Sequence, residues 1–208
     1  MKKLILYTFL FSISFSTAQK KELRNANKFF TSGEYASAID LLDSSKEIFD
    51  SSDDKIKSQA MLLYGKLHTA MEDFELAMNA FDMSKSLGIS DQLLNPEISK
   101  LETALITSAV GDNETENFSS AAKKLKMVYD LNKDNNEEYL FYAASSAVNS
   151  LDYPLALEYY EILRDIKYEG IETKFYITEV SSGNEIEINS ETEFKLLQKS
   201  KDYSNPRE

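Results

Sequence analysis

His68 is the single histidine of the chain, and cysteine is absent. A zinc-type centre needs several imidazole or thiolate ligands converging on one ion, so a lone imidazole makes no metal site of familiar kind. A Ser/His pair would have to recruit His68, and no serine stands in a Gly-x-Ser-x-Gly elbow that would present its hydroxyl. His68 therefore reads as a packing or partly exposed side chain. Asp53/Asp54 and Glu137/Glu138 are adjacent pairs; on a helix such neighbours diverge by roughly 100° and cannot face each other across a cleft, so they read as helix-start or solvated charge. The run Asp130, Asn132, Asp134, Asn135, Asn136 lacks the central glycine and the closing glutamate of a calcium loop, and amide and carboxylate side chains of this kind are the usual material of a connecting turn. No glycine-rich loop is available to cradle a phosphate. These residues predict no catalysis, no metal and no cofactor.

The elements that carry them are expected to be helices. Of 208 residues only 6 are Gly and 3 Pro, while 42% are hydrophobic, which provides a core but few tight turns. At the start, Lys2 and Lys3 precede an apolar run from Leu4 to Phe15 and then Ser16, Thr17 and Ala18. That order predicts a signal peptide over 1–18, cut between Ala18 and Gln19. Its apolar run is well short of the roughly 20 residues that cross a bilayer as a helix, so no stable membrane insertion of the mature chain is expected. Export without disulfides fits a periplasm or cell envelope. Losing Lys2 and Lys3 takes the formal charge from −12 to −14; such a surface repels phosphate backbones, and nucleic acid is not an expected partner. The acidity is read as a means of solubility, with recognition of a basic partner as the alternative.

Internal repetition is the most informative feature. Four segments, GEYASAIDLLDSS, EDFELAMNAFDMS, ENFSSAAKKLKMV and LDYPLALEYYEIL, share one pattern. Tyr35, Phe74, Phe118 and Tyr153 stand three places before Ala38, Ala77, Ala121 and Ala156, and Leu42, Phe81, Leu125 and Tyr160 stand four places after those alanines. Offsets of three and four put each trio on one helical face. Twelve residues before each alanine is another small residue: Ala26, Gly65, Ala109 and Ala144. The spacing predicts a helix, a short turn and a second helix, with small side chains where the pair crosses. The marker alanines are 39, 44 and 35 residues apart, near the roughly 34 of a tetratricopeptide unit with insertions. The extra residues are placed at Ser51–Asp54 and around Asn95 and Pro96, and Pro154 marks the first turn of the last second helix.

On these marks the stretch 19–170 resembles the tetratricopeptide repeat family. The resemblance implies an all-α fold, an α-solenoid of about four helical hairpins. Three departures stand out: the first helices lack the family's tryptophan, the turn glycine occurs only at Gly33, and the third unit has Asp112 at an aromatic place. The segment GDNETE, 111–116, is expected to fray or end its helix early. After Gly170 the texture changes: KFYITEV and EIEIN flank SSGN, the pattern of a β-hairpin, and Ser190 with Glu193 reads as the capping box of a short helix. The unit 171–208 is thus expected to be a small β-hairpin plus short helix, with no closing element at SNPRE. Its succession of KYEGIETKFYITEVSSGNEIEINS and KDYSNPRE resembles an insert in longer exported tetratricopeptide proteins of Bacteroidota, which implies a truncated product with further repeats beyond Glu208; a complete short protein with its own hairpin cap is the competing reading.

In proteins of this family the first helices of successive units line a groove for extended peptides or helices. Carried over, that implies a partner-binding groove of Leu23, Asn27 and Phe30, then Leu62, Lys66 and Thr69, then Ile106 and Val110, and last Phe141 and Ser145. Apolar anchors beside amide and ammonium groups suit a peptide; inter-repeat packing is the competing reading of the same positions. Lys66 is expected to stand without a companion Arg or Lys, which argues against a receptor for chain-terminal carboxylates. The functional expectation is an exported scaffold or adaptor that binds a protein or peptide partner. The alternative is a glycan-associated protein, motivated by Tyr139, Tyr142, Tyr153, Tyr159 and Tyr160.

Overall fold

The computed structural model describes residues 19–170, 174–188 and 190–207; the expected leader over 1–18 is outside them. The described chain is mostly helical, with a small antiparallel sheet towards its C-terminus, and it divides into two compact units at Ile166/Lys167.

The first unit contains α1 (residues 19–31), α2 (Tyr35–Ser44), α3 (Lys46–Asp50), α4 (Asp54–Ala70), α5 (Phe74–Ser86), α6 (Asp91–Glu114), α7 (Phe118–Leu131), α8 (Glu137–Asn149) and α9 (Tyr153–Asp165). Three-residue turns join α1 to α2, α4 to α5, α6 to α7 and α8 to α9, and all four are built alike. The middle residue is left-handed: Gly33, Glu72, Glu116 and Leu151 have φ of 77, 62, 61 and 63°. The next residue's N–H reaches back five places to a carbonyl, Glu34 to Phe29, Asp73 to His68, Asn117 to Asp112 and Asp152 to Ala147, at 2.9, 2.9, 2.7 and 3.0 Å. That bond satisfies a carbonyl the ending helix leaves over. Four places later Ala38, Ala77, Ala121 and Ala156 donate to the carbonyls of Glu34, Asp73, Asn117 and Asp152. The recurring interval is therefore a property of the backbone as well as of side-chain pattern.

The small residues stand where the helices are closest. Ala26, Ala38, Ala77, Ala109, Ala121 and Ala144 have no exposed surface, Ala156 is 3% exposed, and Gly65 is buried. In the second hairpin the reason is explicit: a Cβ built on Gly65 would stand 2.8 Å from Cζ of Phe81, and nearer still to Cδ1 and Cε1. Phe81 is 1% exposed and belongs to a core with Phe74, Ala77, Leu101, Leu105 and Val128, while Leu42, Phe49 and Leu67 anchor another. Caps also form as expected. The Asp53 carboxylate accepts from the Ile56 N–H at 2.9 Å, and Pro154 occupies the first turn of α9 behind Asp152, whose side chain accepts from Leu155 N–H.

Several expectations need correction. The segment 111–116 does not end its helix early, since α6 runs to Glu114. Asp112, in place of an aromatic residue, is held by the Lys124 ammonium at 2.6 Å and by the Asn117 amide at 3.3 Å, and Asn113 accepts from the Ser146 hydroxyl. Polar pairing thus fills the place of an apolar contact. Asn95 and Pro96 form no linker: they lie within α6, where Pro96 as the sixth residue leaves the Gln92 carbonyl without its intrahelical donor, and the helix runs on to 24 residues. Tyr153 and Tyr160 share a face with buried Ala156 but remain 60% and 37% exposed. The Asp/Asn run closes α7 and forms the turn into α8, where buried Asn136 donates to the Val128 carbonyl at 2.8 Å and to Glu102 at 2.7 Å.

The second unit has a sheet where a hairpin is expected. Strands β1 (Phe175–Glu179) and β2 (Glu185–Ile188) pair antiparallel with Ile177 opposite Ile186, joined through Gly183 at φ 72°. A third strand, β3 (Tyr203–Arg207), pairs with the other edge of β1, giving the order β2-β1-β3. Asn205 and Pro206 conceal it in the sequence; left-handed Asn205 and the register shift opposite Tyr176 and Thr178 absorb them as a bulge. Helix α10 (Glu191–Leu197), capped by Ser190 as expected, buries Phe194 against Ile177 and Ile188. The stretch Tyr203–Arg207 is thus part of the sheet.

Candidate functional site

Helices α1 and α4 each turn one face to a shared cavity of about 360 Å³. From α1 come Lys20, Leu23, Arg24 and Asn27, and from α4 come Gln59, Leu62, Leu63 and Lys66, spaced by three and four as one face of a helix requires. Four of the expected groove residues, Leu23, Asn27, Leu62 and Lys66, are therefore brought together. Phe30 is beside them, with the Lys66 ammonium 4.8 Å from the centre of its ring. Lys66 also approaches Glu97 at 3.8 Å, a carboxylate shared with Lys100.

Lys66 is not alone, contrary to expectation: Lys20 and Arg24 line the same cavity, and among the described residues no acidic side chain is part of its lining. The signal for both was present one helical turn before and one residue after Leu23, and that for Gln59 one turn before Leu62. In a chain with 35 acidic and 23 basic side chains, three cations around one depression over a leucine floor, of which only Lys66 has a carboxylate, Glu97, beside it among the described residues, make a local reversal of charge. Such a lining recognises carboxylates by charge-assisted hydrogen bonds while the leucines accept an apolar side chain.

A second cavity of about 390 Å³ gathers Ile106, Val110 and Ser145 with Tyr139, Tyr142 and Asn149 between α6 and α8. Ser145 donates its hydroxyl to the Phe141 carbonyl, and burial, with Glu138 and Glu102 nearby, raises the Tyr139 phenol above its ordinary range. Phe141 lines neither cavity; it is 42% exposed, with its ring 6.0 Å from Tyr142 and 6.3 Å from Tyr160. Thr69 also lines neither and bonds to the Gly65 carbonyl at 2.7 Å within its own helix. The ten expected positions thus divide into two separate depressions and three flanking residues.

His68 takes the role expected of it. Its side chain is 15% exposed, its ring is parallel to that of Tyr64 with centroids 6.2 Å apart, and Nδ1 is 3.5 Å from Asp73. No family model and no curated protein matches the chain.

Proposed function

We propose that the chain is an exported tetratricopeptide-type scaffold of the cell envelope, which holds an extended, carboxylate-bearing segment of a protein partner along its first helices and performs no chemistry. The observation that carries this reading is the cavity between α1 and α4, basic and leucine-floored in an acidic protein. Four identical left-handed turns and eight buried small residues support the repeat assignment. A prefolded groove binds without first ordering itself, so a few anchors give useful affinity. The test is capture of envelope proteins by the mature chain, followed by the same capture with Arg24→Glu/Lys66→Glu. Loss of the bound partner with helicity intact supports the groove; undiminished capture refutes it.

A second reading, association with glycans, rests on the exposed rings of Phe141, Tyr142 and Tyr153, since aromatic faces suit sugar rings as well as side chains. Retardation of the protein in a gel containing soluble polysaccharide, abolished by Phe141→Ala/Tyr142→Ala, would favour it over the peptide groove.

A further inference from the structure

The first hairpin departs from the other three by one feature: the single-turn helix α3 continues α2 before the chain enters α4. This extra turn closes one side of a cavity of about 310 Å³ whose other walls are α4 and α5. The lining is unlike that of the basic depression. Tyr64 and His68 present parallel rings, and Leu76 and Met83, each 52% exposed, form an apolar rim over buried Phe49. Asp43 and Asp50 face the same space from α2 and α3. Asp43 accepts the Tyr64 hydroxyl at 2.6 Å, and Asp50 pairs at 3.5 Å with Lys46, which also lines the cavity, a pair largely in solvent. Burial, the bond to Asp43 and the charges of Asp43 and Asp50 hold the Tyr64 phenol protonated well above its ordinary range. Two carboxylates against the one ammonium of Lys46 leave the lining with a net negative charge, and Asp43 places a carboxylate beside the Tyr64 ring.

A ligand that satisfies all of this has a planar cation on an apolar stem. Guanidinium stacks on a flat ring and bonds a carboxylate with two parallel N–H groups, whereas an ammonium is a compact, strongly hydrated charge that does neither as well. The methylenes of an arginine would lie against Met83 and Leu76, and thioethers adapt to such contacts. We propose that this cavity receives an arginine side chain from a protein partner. The site is on different faces from the basic depression and does not rest on the function proposed for it.

The test uses the mature chain labelled with ¹³C at its methionine methyls and titrated with N-acetyl-arginyl-leucinamide. Met61 and Met83 both line the cavity, so their methyl signals should shift together and saturate, while Met127, outside it, stays still. The citrulline counterpart, equal in shape and uncharged, should produce no saturable shift. Asp43→Asn/Asp50→Asn should weaken binding about tenfold, the loss expected when charge-assisted bonds are replaced by neutral ones. Should that variant lose helicity, Met83→Lys, a change at an exposed position, should abolish the shift of the remaining reporter, Met61, by placing a second cation beside Lys46. Absence of shifts with the arginine probe, equal shifts with citrulline, or unchanged affinity in a folded variant would each overturn the proposal. Equal binding of the lysine analogue would overturn the assignment to arginine.

Discussion

Gly65→Ala should destabilise the protein even though it replaces the poorer helix former by the best one. In an open helix interior the change gains roughly 1 kcal/mol. Here the new Cβ would stand within 2.8 Å of Phe81 Cζ and closer to two other ring carbons. The ring is 1% exposed and packed among Phe74, Ala77 and Leu101, so it cannot turn aside without displacing a second layer. Overpacking of this kind costs typically 1–3 kcal/mol. It exceeds the propensity gain and leaves a net loss of about 1 kcal/mol. Gly111→Ala in α6 is the control, because nothing stands within 4 Å of its added Cβ; it should gain several tenths of a kcal/mol or more by the same propensity scale. Urea unfolding followed by circular dichroism measures both. Combining Gly65→Ala with Phe81→Leu should relieve the clash, giving a coupling energy of about 1 kcal/mol in the double-mutant cycle. A stabilising Gly65→Ala, or zero coupling, would refute the claim that the small residue exists to admit the ring.

Leu151→Gly should stabilise by about 1 kcal/mol, read as a rise in midpoint temperature, because Leu151 is left-handed at φ 63° and that conformation costs a non-glycine residue roughly 1–2 kcal/mol. Asp112→Asn should cost about 1 kcal/mol at neutral pH by loss of the charge-assisted bond from Lys124. Burial alone would raise the Asp112 pKa, but hydrogen bonds from Lys124, Ser120 and Asn117 and the Lys124 charge lower it. Its contribution is therefore full above the unfolded value near pH 4 and lost as pH falls through the lower folded one, so urea midpoints of wild type and variant should converge on acidification. Phe194→Ala removes the largest buried side chain of the small sheet unit, a change costing roughly 3–5 kcal/mol; hydrogen exchange should lose protection over 175–207 while α4 and α5 keep theirs.

The helical part was legible because its packing requires small residues at fixed places. Only a side chain as small as Ala26 or Gly65 lets paired helices come so close, and that requirement writes itself into the sequence as a period. The left-handed turns were not legible beyond Gly33, since Glu72, Glu116 and Leu151 adopt the same backbone without glycine: the helices on either side impose the turn, and the strain is distributed over their packing. The continuation of α6 past Gly111 depends on Lys124, twelve residues from Asp112, and no local pattern announces such a pair. Strand β3 was missed for a related reason, because Pro206 argues against a strand unless a bulge accommodates it. At the candidate groove the resemblance located Leu23, Asn27, Leu62 and Lys66, but Lys20 and Arg24 are visible only once α1 is turned to show which face meets α4.

The departures from the repeat are more informative about function than the repeat itself. A helical hairpin satisfies its own requirements with small residues, large residues and a turn, and it needs neither a basic depression nor an extra helical turn. Lys20 and Arg24 are exposed beside the depression between α1 and α4, and nothing in hairpin geometry calls for cations there. Likewise α3 adds five residues that lengthen no hairpin and instead wall off a cavity with aromatic, thioether and carboxylate groups. Both features occur in the first two hairpins and have opposite charge. A single partner segment with acidic and basic ends, or two partners, would find complementary surfaces there. Charge-reversing substitutions at Arg24 and at Asp50 distinguish these cases: for one segment the effects on affinity are coupled, and for two partners each substitution releases only its own.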